Sequence, residues 1–312
     1  VTRDIRGIPM EYAVYKLEFK TSVHFGNGML SDTGITFCAD TLFSALYIEA
    51  MKIGKDSIFL SEVTQGKLLF TDAFPYIGDQ YYLPKPMLYV EPQERGKSSD
   101  KKKIKRMKYI PAEEVDNFLN GTMDMSASKM DELGHNSMQV MAAIRSEKED
   151  TLPYYVESYY FNKGNGLYII AAYDDDEDRE LLDELLESLS YTGIGGKRAS
   201  GKGKFLVKIG KKAEPLLKLL DRESSKHMLL SSALPKEDEL EKSLDGASYL
   251  LQKRSGFVYS DIYAEEQRKK QELFVFQVGS CFTNCFDGDI YDVGNNGVHS
   301  VYRYAKPIFM GV

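Results

Sequence analysis

Cysteine and histidine are scarce in this chain of 312 residues, with three of the first and four of the second. Cys38, Cys281 and Cys285 cannot all pair, so no disulfide framework is expected and a reducing cytoplasm fits. The same scarcity disfavours zinc. Cys281-x-x-x-Cys285 with the distant His299 falls short of the four ligands, commonly in tightly spaced pairs, that a structural site takes. No apolar run approaches the length of a membrane span, and no secretory signal is visible. The acidic run Asp174-Asp-Asp-Glu-Asp178 lacks the glycine and ligand spacing of an EF-hand. It reads instead as the acidic start of a helix, which the helix dipole favours.

Hydrophobic residues make up 43% of the chain and charged residues 28%, which suits a globular protein of one or two domains. The formal net charge of −7 is unevenly spread. Arg95–Lys108 holds eight Lys/Arg against Asp100, and Tyr191–Lys212 holds seven Lys/Arg and no acid. Asp174–Glu187 holds nine acids against Arg179. Local field governs binding, so two basic segments on an acidic body remain compatible with a nucleic-acid ligand. The acidic remainder can equally face basic protein partners.

The densest signal is Gly193–Gly203, G-I-G-G-K-R-A-S-G-K-G. Its glycines permit left-handed backbone and close approach of a ligand, while Lys197, Arg198 and Lys202 bring positive charge and Ser200 a hydroxyl. That combination suits a sugar-phosphate backbone. Upstream, Leu181, Leu182, Leu185, Leu186 and Leu189 have helical spacing, and downstream Phe205–Ile209 reads as a strand. The order helix, loop, strand is the reverse of a P-loop or Rossmann turn. The letters also fail, because those motifs would need glycine where Tyr191 or Arg198 stands.

Along the chain, residues 1–9 show no periodic pattern, and Met10 reads as a native start preceded by an expression scar. Tyr12–Lys20 alternates as a half-buried strand, and Thr21–Ser31 is a loop carrying His24 and Phe25. Asp40 is expected to cap a helix that shows Phe43, Leu46, Tyr47, Ala50 and Met51 on one face and stops by Gly54. Lys67–Thr71 and Gln80–Leu83 are strand candidates. Residues 91–150 form a polar insertion containing the Arg95–Lys108 run and a short helix candidate at Pro111–Leu119. Tyr154–Phe161 and Gly166–Ala172 read as strands. The whole predicts an α+β protein. Residues 10–212 form a ferredoxin-like (RRM-like) domain with an insertion at 91–150, and residues 213–312 a degenerate second copy. In that copy, strands are expected at His227–Ala233, Tyr249–Ser260, Glu272–Val278, Phe286–Tyr291 and Val301–Met310, with a helix at Lys236–Leu244.

Several stretches, in order, carry a resemblance. They are Val23-His-Phe-Gly-Asn-Gly28, Phe37–Leu46, Phe70–Pro75 with Leu83-Pro-Lys-Pro86, the glycine loop, Ser255-Gly-Phe257 and Tyr304-Ala-Lys-Pro307. From about Met10 onward the chain resembles the RAMP superfamily of CRISPR proteins, and within it the family of fourth Csm subunits of type III-A effector complexes. The resemblance implies a non-catalytic subunit without cofactor or metal. Such a subunit holds the repeat-derived 5′ tag of the crRNA and caps the base of the complex. Its implied partners are the large polymerase-type subunit, the backbone subunit and, near the first guide positions, target RNA, with no membrane. It also implies that the insertion includes a hairpin thumb against the guide RNA, although the basic run equally reads as a solvated linker.

The expected RNA contacts are His24, Phe25, Gly26, Asn27 and Gly28 in the first loop. In the glycine loop they are Gly193, Gly195, Gly196, Lys197, Arg198, Ser200, Gly201, Lys202 and Gly203. Phe43 and Ser44 are expected to face RNA, as are Lys85 and the C-terminal pair Lys253 and Arg254. The tyrosines 154, 155, 159 and 160 are core or a stacking platform. The alternative activity is a metal-independent endoribonuclease that cuts precursor CRISPR RNA with His24 as acid or base. A third reading is a scaffold that uses its acidic surface, with the glycine loop purely structural.

Overall fold

A computed structural model describes residues 2–3, 9–26, 28–91, 104, 106–143 and 152–312. The alternating first segment is strand β1 (Pro9–Phe19). Tyr15 and Leu17 enter the core, while the Lys16 ammonium lies on the other face over the Tyr76 and Tyr81 rings. The chain crosses through α1 (Ala39–Lys52) and α2 (Asp56–Gln65) to β2 (Leu68–Phe70). The hairpin β3 (Phe74–Ile77) and β4 (Gln80–Pro84) follows, and β5 (Tyr109–Pro111) adds to its outer edge. Two ten-residue strands, β6 (Gly134–Ala143) and β7 (Leu152–Phe161), pair with each other as a long hairpin, and Tyr159 of β7 also bridges Val23 in the first loop.

β8 (Asn165–Tyr173) is buried along its whole length because it is the centre of the main sheet. It runs antiparallel to β1 on one side and to β2 and β3 on the other. α3 (Asp176–Thr192) and the glycine segment then lead to β9 (Phe205–Ile209), antiparallel to β1. The order β9–β1–β8–β2 therefore places both the first loop and the glycine segment at one end of the β1–β9 pair. The leucine stripe of α3 is buried, as its helical spacing predicts, and Asp175 caps the helix by accepting from the Asp178 N–H at 3.0 Å.

The start of α1 differs from expectation. Cys38 occupies the cap position, and the Ala39 N–H is met by Asp72 Oδ1 at 2.8 Å from across the fold. Asp40 lies inside the first turn, where it accepts from Arg254 Nη2 at 2.6 Å and Arg303 Nη1 at 2.7 Å. It is a buried ion-pair centre, not a cap.

The C-terminal portion packs directly on the first. Tyr304 stacks on Phe70 at 4.8 Å, and the Asp72 N–H donates to the Leu230 carbonyl. Its sheets are small. His227–Leu229 lies between Cys281–Phe282 and Phe309–Gly311, Leu251–Arg254 pairs with Leu273–Phe276, and Asp289–Asp292 pairs with Tyr302–Ala305. The strand expected over Val301–Met310 is split at Lys306-Pro307, where proline cannot donate to a ladder. Phe276, Phe282, Phe286 and Phe309 form a local aromatic core. The result is a mixed α/β molecule built on antiparallel sheets.

The insertion is more structured than its polarity suggests, containing β5, the short helix Val115–Leu119 and β6. Most of the basic run, 95–103 and Lys105, lies outside the described residues.

Candidate nucleic-acid interface

The glycine segment folds back onto the loop that follows β1. The Gly196 N–H donates to the His24 carbonyl at 2.8 Å, and the Gly203 N–H to the Ser22 carbonyl at 2.9 Å. The Ile194 N–H closes the segment on itself through the Gly203 carbonyl at 3.0 Å. A Cβ on Gly203 would lie 2.1 Å from the Ile194 carbonyl oxygen, and one on Gly195 would lie 2.8 Å from that of His24. Both positions also have φ near +80 to +97°, so chain packing alone requires glycine there. Gly201 shares the positive φ but faces open space. The structure thus brings together the two segments that the sequence singled out separately.

Three cations stand on this fold-back, and none has an ion-pair partner among the described residues. Lys202 is 8% exposed, and among the described residues its ammonium meets neutral oxygens alone, Ser22 Oγ and Gln139 Oε1, each at 3.1 Å. Lys197, in left-handed backbone at φ 60°, holds its ammonium 5.2 Å from the Tyr154 ring centre. Arg198 lies 5.1 Å from that of Tyr259. A desolvated ammonium without a counter-ion is costly, and the three cations leave positive charge on the loop uncompensated among the described residues.

His24 is buried, and its Nδ1 donates to the Glu157 carbonyl at 2.7 Å. That bond fixes the ring against hairpin β6–β7. Gly26 leaves room for it, since a Cβ there would sit 3.1 Å from His24 Nε2. Gly28 and Ser200 are exposed, and Asn27 lies outside the described residues.

Several expected contacts are corrected. Phe25 is buried edge-on to Phe37 at 5.2 Å, so its ring is unavailable for base stacking. Phe43 is core, stacked with Tyr47 and Phe59, and cannot face RNA. The Ser44 hydroxyl donates to the Asp40 carbonyl one turn back. The Lys85 ammonium donates to the Ile104 carbonyl at 2.8 Å, and burial lowers its pKa. Arg254 is committed to Asp40, whereas the pair of Lys253 with Glu272 at 2.5 Å is about half exposed and leaves that lysine accessible. The tyrosine group divides: Tyr159 is core, Tyr160 stacks on His135, Tyr155 is exposed and Tyr154 faces Lys197. Sequence reasoning missed Ser22, Gln139 and Glu157, whose roles arise only once the hairpin is laid against the loop. Among the described residues no cluster of His, Cys, Asp and Glu is suited to a metal, and no helix is long and apolar enough to cross a membrane.

Comparison with known proteins follows the same geography. Residues 16–206, which span the first loop and the glycine segment, match the RAMP superfamily, and residues 222–312 match the CRISPR Csm4 C-terminal domain. A CRISPR system protein Csm4 of Mycobacterium tuberculosis is 36% identical over 305 residues, covering 97% of this chain and 98% of that protein. The chain belongs to the Csm4 family. Csm4 of Streptococcus thermophilus is 37% identical over 314 residues, with 96% and 98% covered. In fold, the chain is similar to one in the crystal structure of the Csm3–Csm4 subcomplex of the type III-A interference complex, with TM-score 0.64 and 18% identity over 96% of this chain and 99% of that one. A chain of a Csm1–Csm4 cassette with pppApA gives 0.61 and 20%, covering 97% and 98%.

Proposed function

We propose that this chain is a non-catalytic RNA-binding subunit of a type III-A CRISPR (Csm) interference complex. In this reading it holds the repeat-derived 5′ tag of the crRNA on the fold-back of the glycine loop and the His24 loop. It lies next to the large polymerase-type subunit and the backbone subunit in the cytoplasm. The observation that carries the reading is Lys202, a buried ammonium whose partners among the described residues are all neutral, on the same loop as Lys197 and Arg198. A phosphodiester supplies the missing negative charge there. Csm4 relatives and the named Csm3 and Csm1 assemblies of the fold neighbours support the choice of complex.

Hairpin β6–β7 touches the site through Gln139 and Tyr154, which supports reading it as the family's thumb beside the first guide–target pairs. The antiparallel order β9–β1–β8–β2, with helices in both crossovers, supports a ferredoxin-like reading of residues 10–212. We divide the chain there from a C-terminal domain at 213–312. The endoribonuclease reading gains no support from the site, because His24 is buried and oriented by a main-chain carbonyl.

Crosslinking of the assembled complex to crRNA, followed by mass spectrometry of peptide adducts, tests the proposal. Adducts between the 5′ tag and peptides spanning Gly193–Gly203 and His24–Gly28 are expected. A complex that retains the subunit yet gives no such adducts refutes it and favours the scaffold reading.

A further inference from the structure

Residues 255–270 form a short two-stranded arm beside the glycine loop. The Lys270 N–H donates to the Gly256 carbonyl and the Val258 N–H to the Arg268 carbonyl, each at 2.9 Å, and Phe257 bridges Lys269. Extended backbone sends successive side chains to opposite faces. Val258 is accordingly 8% exposed in a small core with Tyr263, Val293 and Val301. Its neighbours Phe257 and Tyr259 point the other way, at 51% and 76% exposure. The arm is anchored behind them, since the Val298 N–H donates to the Tyr263 carbonyl and the Asn295 N–H to the Tyr263 hydroxyl.

Each exposed ring already carries a cation. Lys269 Nζ lies 5.7 Å from the Phe257 ring centre, and Arg198 lies 5.1 Å from that of Tyr259. Neither cation has an ion pair among the described residues. Because Arg198 belongs to the glycine loop, the Tyr259 ring lies against that loop, and Phe257 stands two residues away on the same face of the arm. The acidic residues of the arm, Asp261, Glu265 and Glu266, occupy its turn beyond Tyr259.

We propose that Phe257 and Tyr259 are a stacking platform for unpaired bases of the RNA strand whose phosphates lie on the glycine loop. This rests on the glycine-loop reading above. Exposed aromatics interleaved with cations that have no ion pair among the described residues suit single-stranded RNA. Stacking engages the π-face that every base has, and the cations follow the backbone. An apolar protein partner would leave Arg198 and Lys269 without counter-charge, so charge complementarity favours the polyanion.

The test is fluorescence anisotropy of the full chain with labelled, unstructured oligouridine and oligoadenosine over a range of salt. Tyr259→Ala and Phe257→Ala should each weaken binding on the order of 10-fold, while Tyr259→Phe binds like the parent. The salt slope should not change, because no cation is removed. Lys197→Ala should weaken binding and flatten the slope. If Lys197→Ala is impaired while both aromatic variants bind at parental affinity, the glycine-loop reading stands and the platform is refuted. If the parent binds no single-stranded RNA, both fall. If the aromatic variants keep RNA affinity but fail to assemble with their partner subunits, the occupant is protein and the platform is refuted.

Discussion

Asp40→Asn removes the one negative charge held between Arg254 and Arg303. The substitution preserves shape and leaves two guanidiniums facing a neutral amide. Arg303 is buried, its Nε has no hydrogen-bond partner among the described residues, and the side chain of Arg254 is only 20% exposed, so little solvent is available to replace the lost partner. Breaking a buried pair of this kind costs about 3–5 kcal/mol. For a chain of this size that lowers the melting temperature by roughly 2 °C per kcal/mol, or about 6–10 °C. The acid dependence has a definite sign. Burial opposes ionisation of Asp40, but the Arg254 and Arg303 guanidiniums outweigh it and hold the carboxyl below its ordinary value. The stabilisation is therefore complete above the unfolded carboxyl's pKa of about 3.9 and is lost as pH falls through the depressed folded value. Parent and variant melting curves, measured from pH 7 down to pH 3, should differ fully near neutrality and begin to draw together only below about pH 3.9. Replacing all three groups by apolar residues should cost less than Asp40→Asn, since no charge is then stranded. A variant that melts within about 1 °C of the parent at pH 7 would refute the account.

Asp178 is buried with an unpartnered Oδ2, and burial, Asp175 and Glu62 push its pKa up to about 6. Its ionisation opposes folding, so Asp178→Asn should stabilise by about 1–3 kcal/mol at pH 7.5, with the gain shrinking from pH 6 to nothing below about 4. Equal stabilities across that range in chemical denaturation would exclude the assignment. Lys202→Met should leave the melting temperature unchanged or higher while weakening single-stranded RNA about 10-fold, and a parallel loss of both would contradict a ligand role. Gly203→Ala should destabilise by about 3 kcal/mol, from positive φ and collision with the Ile194 carbonyl, whereas Gly201→Ala should cost about 1 kcal/mol; urea melts distinguish them.

Elements whose apolar residues face a core were legible in the sequence. The alternation of β1 and the leucine stripe of α3 each yielded the right element to within a few residues, because burial imposes the period. Strand β6 was not legible. Met138 and Val140 are exposed on the hairpin, so no contrast between apolar-in and polar-out marks the strand. Asp40 was misread for a related reason. An acid at a helix start is explained locally by capping, and nothing local reveals two arginines more than two hundred residues away. At the candidate site, the glycine and cation density was visible, and its contact with the His24 loop emerges only from the tertiary structure. The burial of Phe25 and Phe43, and the commitment of Arg254, needed the tertiary structure. Residue type alone does not distinguish an aromatic that stacks on a base from one that fills a core.

Helix α1 is also a matter of timing. Its carboxylate waits for guanidiniums that lie 214 and 263 residues later in the chain. At ribosomal speeds of about 5–20 residues per second, that interval is roughly 10–50 s. For that time the emerging first half carries an acid whose ion-pair partners have not yet been made, and the Asp72 cradle at the helix start has not yet received Ser232. The contacts that close the fold at α1 are therefore completed last, by the C-terminal strands.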